Sequence, residues 1–340
     1  MLGKSFSYRN LPAVLVQIRK QRTICYHRLT KVKFRDPISS RANAIWHIAA
    51  SILLLSAFGS GQASSVSSYR DPVELVRKAV RNEIIASRDS SAHFMFRGVK
   101  TTSKGSTTKI YIETNEATAG LVVAYDGKPL TAEQRHTEQE RLERFLKNPE
   151  ELRKKRAQEN EDSERTTRIV RALPDAFLYE SAGEEMGSPG IGRVGDPLVK
   201  LKFRPNPKYE PPTRVEGVLT GMQGYILVDA VAARLASIDG ALFKQVGFGW
   251  GILGHLNRGG RFTVHQQEIE DNLWQVSNMT LSFTGKILLL RNLSIQSSEV
   301  FSDFKREPSD LTFAQALELL KKEEAALAQN LPAGSLARER

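Results

Sequence analysis

The chain is 340 residues long, 40% apolar and 26% charged, with a formal net charge of +11. This is enough apolar material for one large domain or two small ones, each with a real core. The charge would suit a nucleic-acid binder, but +9 of it falls in residues 1–63 and only +2 in the remainder. The body of the chain therefore lacks the basic footprint that phosphate contacts require.

The basic leader ends in an apolar run, Ile48 to Phe58, followed by small residues at Gly61 and Ala63. That order describes a secretory signal cleaved after Ala63, the alternative being an uncleaved anchor. The run falls short of the ~20 residues a membrane span needs. The segment before it is long for a signal. Either translation starts downstream, for example near Val32, or residues 1–40 are an organellar targeting peptide. The only cysteine, Cys25, lies in this leader, so the mature chain can form no disulfide, thiolate metal site or cysteine nucleophile.

After a polar linker, Ser64 to Tyr69, Asp71-Pro72-Val73-Glu74 opens a helix with an Asp cap, a first-turn proline and an acid at the third position. Val73, Val76, Val80 and Ile84 then repeat at helical spacing. Three strands follow in the pattern: Ala92–Lys100 with Phe94 and Phe96, Thr107–Thr114, and Leu121–Tyr125 ending in the hairpin dipeptide Asp126-Gly127. Thr131 and Gln134 form a capping box. From there a highly charged helical stretch runs to about Arg171, broken at Asn148-Pro149. It reads either as a solvated connecting pair of helices or as a lid.

Phe177–Glu180 reads as a short strand, Ser181–Asp196 as a loop by its glycine content, and Val199-Lys200-Leu201-Lys202-Phe203 as a half-buried strand. The region from Gly217 to Phe304 alternates apolar and polar runs. Asp239-Gly240, Gly259-Gly260, Asp271-Asn272 and Thr284-Gly285 fall between them as expected turns. Together these elements predict an α+β protein: one strongly curved antiparallel sheet, an incomplete β-barrel, covered by helices. Residues 64–330 would form that single domain, with 131–171 as a charged helical insertion. Thr312 and Gln315 cap a last amphipathic helix, and 331–340 read as a disordered tail.

Catalytic motifs do not survive their context. Gly249-Trp250-Gly251-Ile252-Leu253-Gly254 fits the dinucleotide pattern, but another turn at Gly259-Gly260 follows where a helix should start. Two Ser-x-x-Lys matches, at Ser106 and Ser302, lie in strand-like sequence rather than on a helix. His93, His136, His255 and His265 show no metal-ligand spacing, although His255 and His265 could meet across adjacent strands. The sequence thus predicts no cofactor, no metal and no catalysis. What remains is an apolar set on the expected sheet: Phe94, Phe96, Met222, Ile226, Phe248, Trp250, Ile252 and Trp274. These either fill a core or line a cavity suited to an acyl chain.

The order of elements resembles the LolA/LolB-type outer-membrane lipoprotein-sorting superfamily. The residues that carry the likeness are Asp71-Pro72, Ala124-Tyr125-Asp126-Gly127-Lys128, and Gly224-Tyr225-Ile226-Leu227-Val228-Asp229 with Arg234. The resemblance implies a periplasmic carrier whose incomplete barrel binds a lipid or an acylated lipoprotein. The alternative is an envelope protein-interaction module with a filled cavity. Mass spectrometry of the protein from its native envelope should find Ser64 as the first residue; an intact leader would refute cleavage.

Overall fold

The computed structural model describes residues 71–88, 92–248, 254–287 and 291–329. The leader, the expected cleavage point, the linker 64–69 and the tail 331–340 lie outside them, as do Trp250 and Ile252.

Helix α1 (Pro72–Arg88) begins where the sequence says it should. The Asp71 carboxylate accepts the amides of Val73 at 2.9 Å and Glu74 at 3.3 Å. Then come β1 (His93–Thr102), β2 (Gly105–Ile112), β3 (Ala119–Tyr125) and the two-residue β4 (Lys128–Pro129). The β3–β4 turn places both Asp126 and Gly127 at positive φ, the geometry that this dipeptide favours. The charged stretch becomes α2 (Ala132–Lys147) and α3 (Pro149–Ala176), separated at Asn148. Both halves of the capping box at Thr131 and Gln134 are made. Helix α3 runs past Arg171 because Ile169, Val170 and Leu173 continue its apolar stripe.

The remaining strands are β5 (Phe177–Met186), β6 (Pro197–Pro205), β7 (Met222–Asp229), β8 (Arg234–Leu242), β9 (Val246–Phe248), β10 (Gly254–Leu256), β11 (Arg261–Glu270), β12 (Leu273–Ile287) and β13 (Arg291–Glu307). Helix α4 (Phe313–Gln329) closes the described chain. The strands form one antiparallel sheet in the order β4-β3-β2-β1-β13-β12-β11-β8-β7-β6-β5, with β9 and β10 attached beside β12. Strands β4 and β5 are its two edges, so the sheet is open and not a closed barrel.

Three expected breaks in the chain turn out differently. Asp239-Gly240 lies inside β8, because Gly240 makes room for the Phe262 ring across the strand pair. Thr284-Gly285 lies inside β12, paired with both β10 and β13. Ser181–Met186 extends β5, and the rest of the glycine-rich segment is an ordered turn. Its Ser188 bridges Ile191, its Gly192 bridges Gln267 of β11, and Arg193 is ion-paired with Glu268. The Asp271-Asn272 and Gly259-Gly260 turns stand as read, with Asn272 and Gly259 at positive φ.

Alternation along β1 separates two packing layers. Met95 joins Ile110, Ile112 and Leu121 against Leu142 of α2 and Phe313, Leu317 and Leu320 of α4. Phe94 and Phe96 point the other way, into a cluster with Phe301. Toward the far edge, α1 (Leu75, Val76, Val80) and the end of α3 pack against Leu201, Phe203, Met222, Ile226 and Leu235. The β3 edge, left bare beyond β4, is closed by side chains. Glu138 accepts the Val122 amide at 2.9 Å, Arg141 donates to the Gly120 carbonyl at 2.8 Å, and Glu159 accepts the Thr118 amide at 3.1 Å.

Gly224 faces Gly240 across β7–β8, and a methyl group on it would stand 1.9 Å from the Asp239 carbonyl oxygen. Backbone cannot move aside as a side chain can. Gly224→Ala should therefore lower the unfolding free energy by about 1–3 kcal/mol in a denaturant titration; an unchanged midpoint would refute the close approach.

Candidate functional site

Between the inner face of the sheet and the helices α1 and α3 lies an apolar cavity of about 100 Å³. Its floor comes from four strands: Leu235 and Ile238 of β8, Phe262 and Val264 of β11, Val276 and Met279 of β12, Phe301 and Phe304 of β13, the three-residue spacings falling where the register shifts. Phe96 of β1 stacks on Phe304 with ring centroids 5.5 Å apart and meets Phe301 edge-on at 6.0 Å. Its roof is Ile84 of α1 with Thr166, Ile169 and Val170 of α3.

A smaller cavity of about 40 Å³ adjoins it and shares Ile169, Val170, Ile238 and Phe262. Met222, Ile226, Phe203 and Phe177 complete its wall. Tyr179 seals one side and donates its hydroxyl to the Leu173 carbonyl at 2.8 Å. Burial pushes that phenol far above its ordinary pKa, with Asp175 adding to the effect, so it remains a donor.

The charged groups cluster at one end. Arg234 of β8 reaches Glu83 of α1 through two bonds, Nε to Oε1 at 2.7 Å and Nη2 to Oε2 at 3.0 Å. The Leu235 amide gives Glu83 a third donor at 3.0 Å. Both side chains are over nine-tenths buried. The pair borders a shallow depression of about 60 Å³ that also includes Gln266, Asn272, Trp274 and Gln275. Glu83, Ser87, Gln266, Gln275 and Val276 line this depression and the main cavity alike, so the polar space adjoins the apolar one.

The sequence-selected set divides on these positions. Phe96 lines the main cavity, and Met222 and Ile226 line the smaller one. Phe94 is buried beside Phe96 without reaching the cavity wall. Trp274 belongs to the polar end and to a cluster with Leu198, Leu227 and Ala236, not to the apolar wall. The Phe248 side chain, Trp250 and Ile252 lie outside the described residues. Of the dinucleotide-like match only Gly254 is described, and it starts a strand. His255 aligns with Lys286 and His265 with Asn278 of β12, so the two histidines do not meet. No group of three potential metal-ligating residues forms among the described residues.

Residues that sequence reasoning passed over are Glu83, Ile169, Val170, Phe262, Met279 and Phe301. Phe262 and Val264 carried a usable period-2 signal. Ile169 and Val170 were hidden inside a highly charged segment read either as a solvated helix pair or as a lid.

No family model matches this sequence, and no curated protein does. Among solved structures the chain is similar to one described as a "putative outer membrane lipoprotein-sorting protein domain" from Vibrio parahaemolyticus. Identity is 9%, the match covers 72% of this chain and 99% of that one, and the TM-score is 0.27. A likeness that distant decides nothing about activity.

Removing one member of the buried ion pair strands the other charge. Glu83→Gln or Arg234→Met should each cost about 3–5 kcal/mol, whereas the double change Glu83→Leu/Arg234→Met should recover most of it. Equal losses in single and double variants, read from unfolding midpoints, would show that the pair is not coupled.

Proposed function

We propose that this chain is a lipid- or lipoprotein-binding carrier of the cell envelope, holding an acyl chain in the inner-face cavity without acting on it chemically. The single observation that supports this reading is an apolar space lined by α1, α3 and the sheet, whose charged lining groups among the described residues, Glu83 and Arg234, gather at the end where the polar depression adjoins it. An extended hydrocarbon with a polar terminus matches that division. The expected resemblance to lipoprotein-sorting proteins points the same way.

The cavity of about 100 Å³ is smaller than the ~300 Å³ that usually marks the lower end of ligand sites. As it stands it holds part of a chain, and full occupancy requires its roof to lift. Helix α3 is suited to that. Of its 28 residues only Leu173, Pro174 and Ala176 are buried, and segments with few buried contacts open at low cost. Pro174 also withholds the amide that would bond the Val170 carbonyl, weakening the last turn beside the cavity. In this reading α3 is a lid.

The modest volume equally favours a second reading, an envelope interaction module whose interior is simply core. The two differ in ligand uptake. Delipidated protein should take up the fluorescent hydrocarbon diphenylhexatriene, and Val170→Trp, which fills the space, should weaken binding about tenfold, roughly 1.4 kcal/mol. No uptake by the wild type, or equal uptake by the filled variant, would leave the interaction module standing.

A further inference from the structure

The polar end of the cavity has an unmet requirement. Trp274 is only 6% exposed, and its indole Nε1–H has no acceptor among the described residues. A buried donor in that condition costs free energy until something accepts from it. Trp274 lines the depression, which adjoins the apolar cavity and shares Gln266, Gln275 and Val276 with it. Taking the carrier reading above as its basis, we infer that this depression is a headgroup subsite, and that its occupant is a neutral carbonyl oxygen, that of an acyl ester or acyl amide.

Charge argues for neutrality. The guanidinium of Arg234 sits 5.5 Å over the Trp274 ring, yet it is already held by Glu83 through two hydrogen bonds. The pair sums to zero, and Glu83 is itself part of the wall. A second carboxylate lies close by: Glu268, ion-paired with Arg193, accepts the Asn272 amide at 2.8 Å. A free fatty acid entering here would bring its carboxylate beside two others without a spare cation to meet it, a cost that a buried site magnifies. The other groups bordering the depression that carry polar atoms are uncharged: Gln266, whose Nε2 donates to the Leu235 carbonyl at 3.0 Å, Gln275, Asn272 and Ser87. An ester or amide oxygen accepts from the indole and adds no charge. The carbon chain attached to it then leads past Val276 into the apolar space.

The test uses the full chain, delipidated, with three probes: cis-parinaric acid, its methyl ester, and diphenylhexatriene, which has no headgroup. The ester should bind the wild type more tightly than the acid. Trp274→Phe keeps a ring under Arg234 but removes the donor; it should weaken ester binding about five- to tenfold and leave diphenylhexatriene binding unchanged. In indole-15N spectra the Trp274 resonance, assigned by its absence from the variant, should move downfield with the ester and stay in place with the hydrocarbon. If Trp274→Phe fails to fold, Trp46→Phe and Trp250→Phe variants identify the other two indole signals, the remaining one is Trp274, and its shift in the wild type decides.

An ester bound equally well by the variant, or an indole resonance indifferent to the ester, would overturn the headgroup assignment while hydrocarbon uptake still supported the cavity. Failure of the wild type to take up any of the three probes would overturn the carrier reading and this one together.

Discussion

The Glu83–Arg234 pair fixes the rest of the site. It is the buried electrostatic tie between the first helix and the centre of the sheet, and it is satisfied on three sides by Arg234 and the Leu235 amide. With α1 held over β8, its stripe of Leu75, Val76 and Val80 meets the inner face of β6, β7 and β8. The end of α3 then packs alongside, and the space left between is the cavity. The same pair marks where apolar lining gives way to polar lining. Position and polarity of the site both draw on this contact, and Asn82 of α1 adds bonds to the Ala232 and Ala233 carbonyls.

Local chemistry made much of the fold legible. Asp71-Pro72, the two Thr/Gln capping boxes and Asp126-Gly127 each act within a few residues, and all four form as their sequence implies. Val199, Leu201 and Phe203 likewise turn to one face and their lysines to the other. Misreadings came where a glycine serves a neighbour distant in sequence. Gly240 exists for Phe262, and the glycines after Met186 serve a turn bridged to β11. No local rule distinguishes such a glycine from one in a hairpin.

The site was less legible than the fold for a related reason. Its wall is assembled from α1, α3 and five strands, so membership depends on topology. Phe96, Met222 and Ile226 were found because large apolar side chains in strand segments usually face inward. Ile169 and Val170 were not, since the charges flanking them dominate the composition of α3. Glu83 and Arg234 are 151 residues apart, and nothing at that separation signals a partnership.

Both rims of the sheet are guarded by ionisable groups. Glu138, Arg141 and Glu159 occupy the backbone positions along β3, and Glu180, Glu184 and Glu185 stud the bulged β5. Charged side chains on a sheet edge oppose strand-by-strand stacking with other molecules. Being electrostatic, that guard is strongest in dilute solution and weakens as added salt screens it.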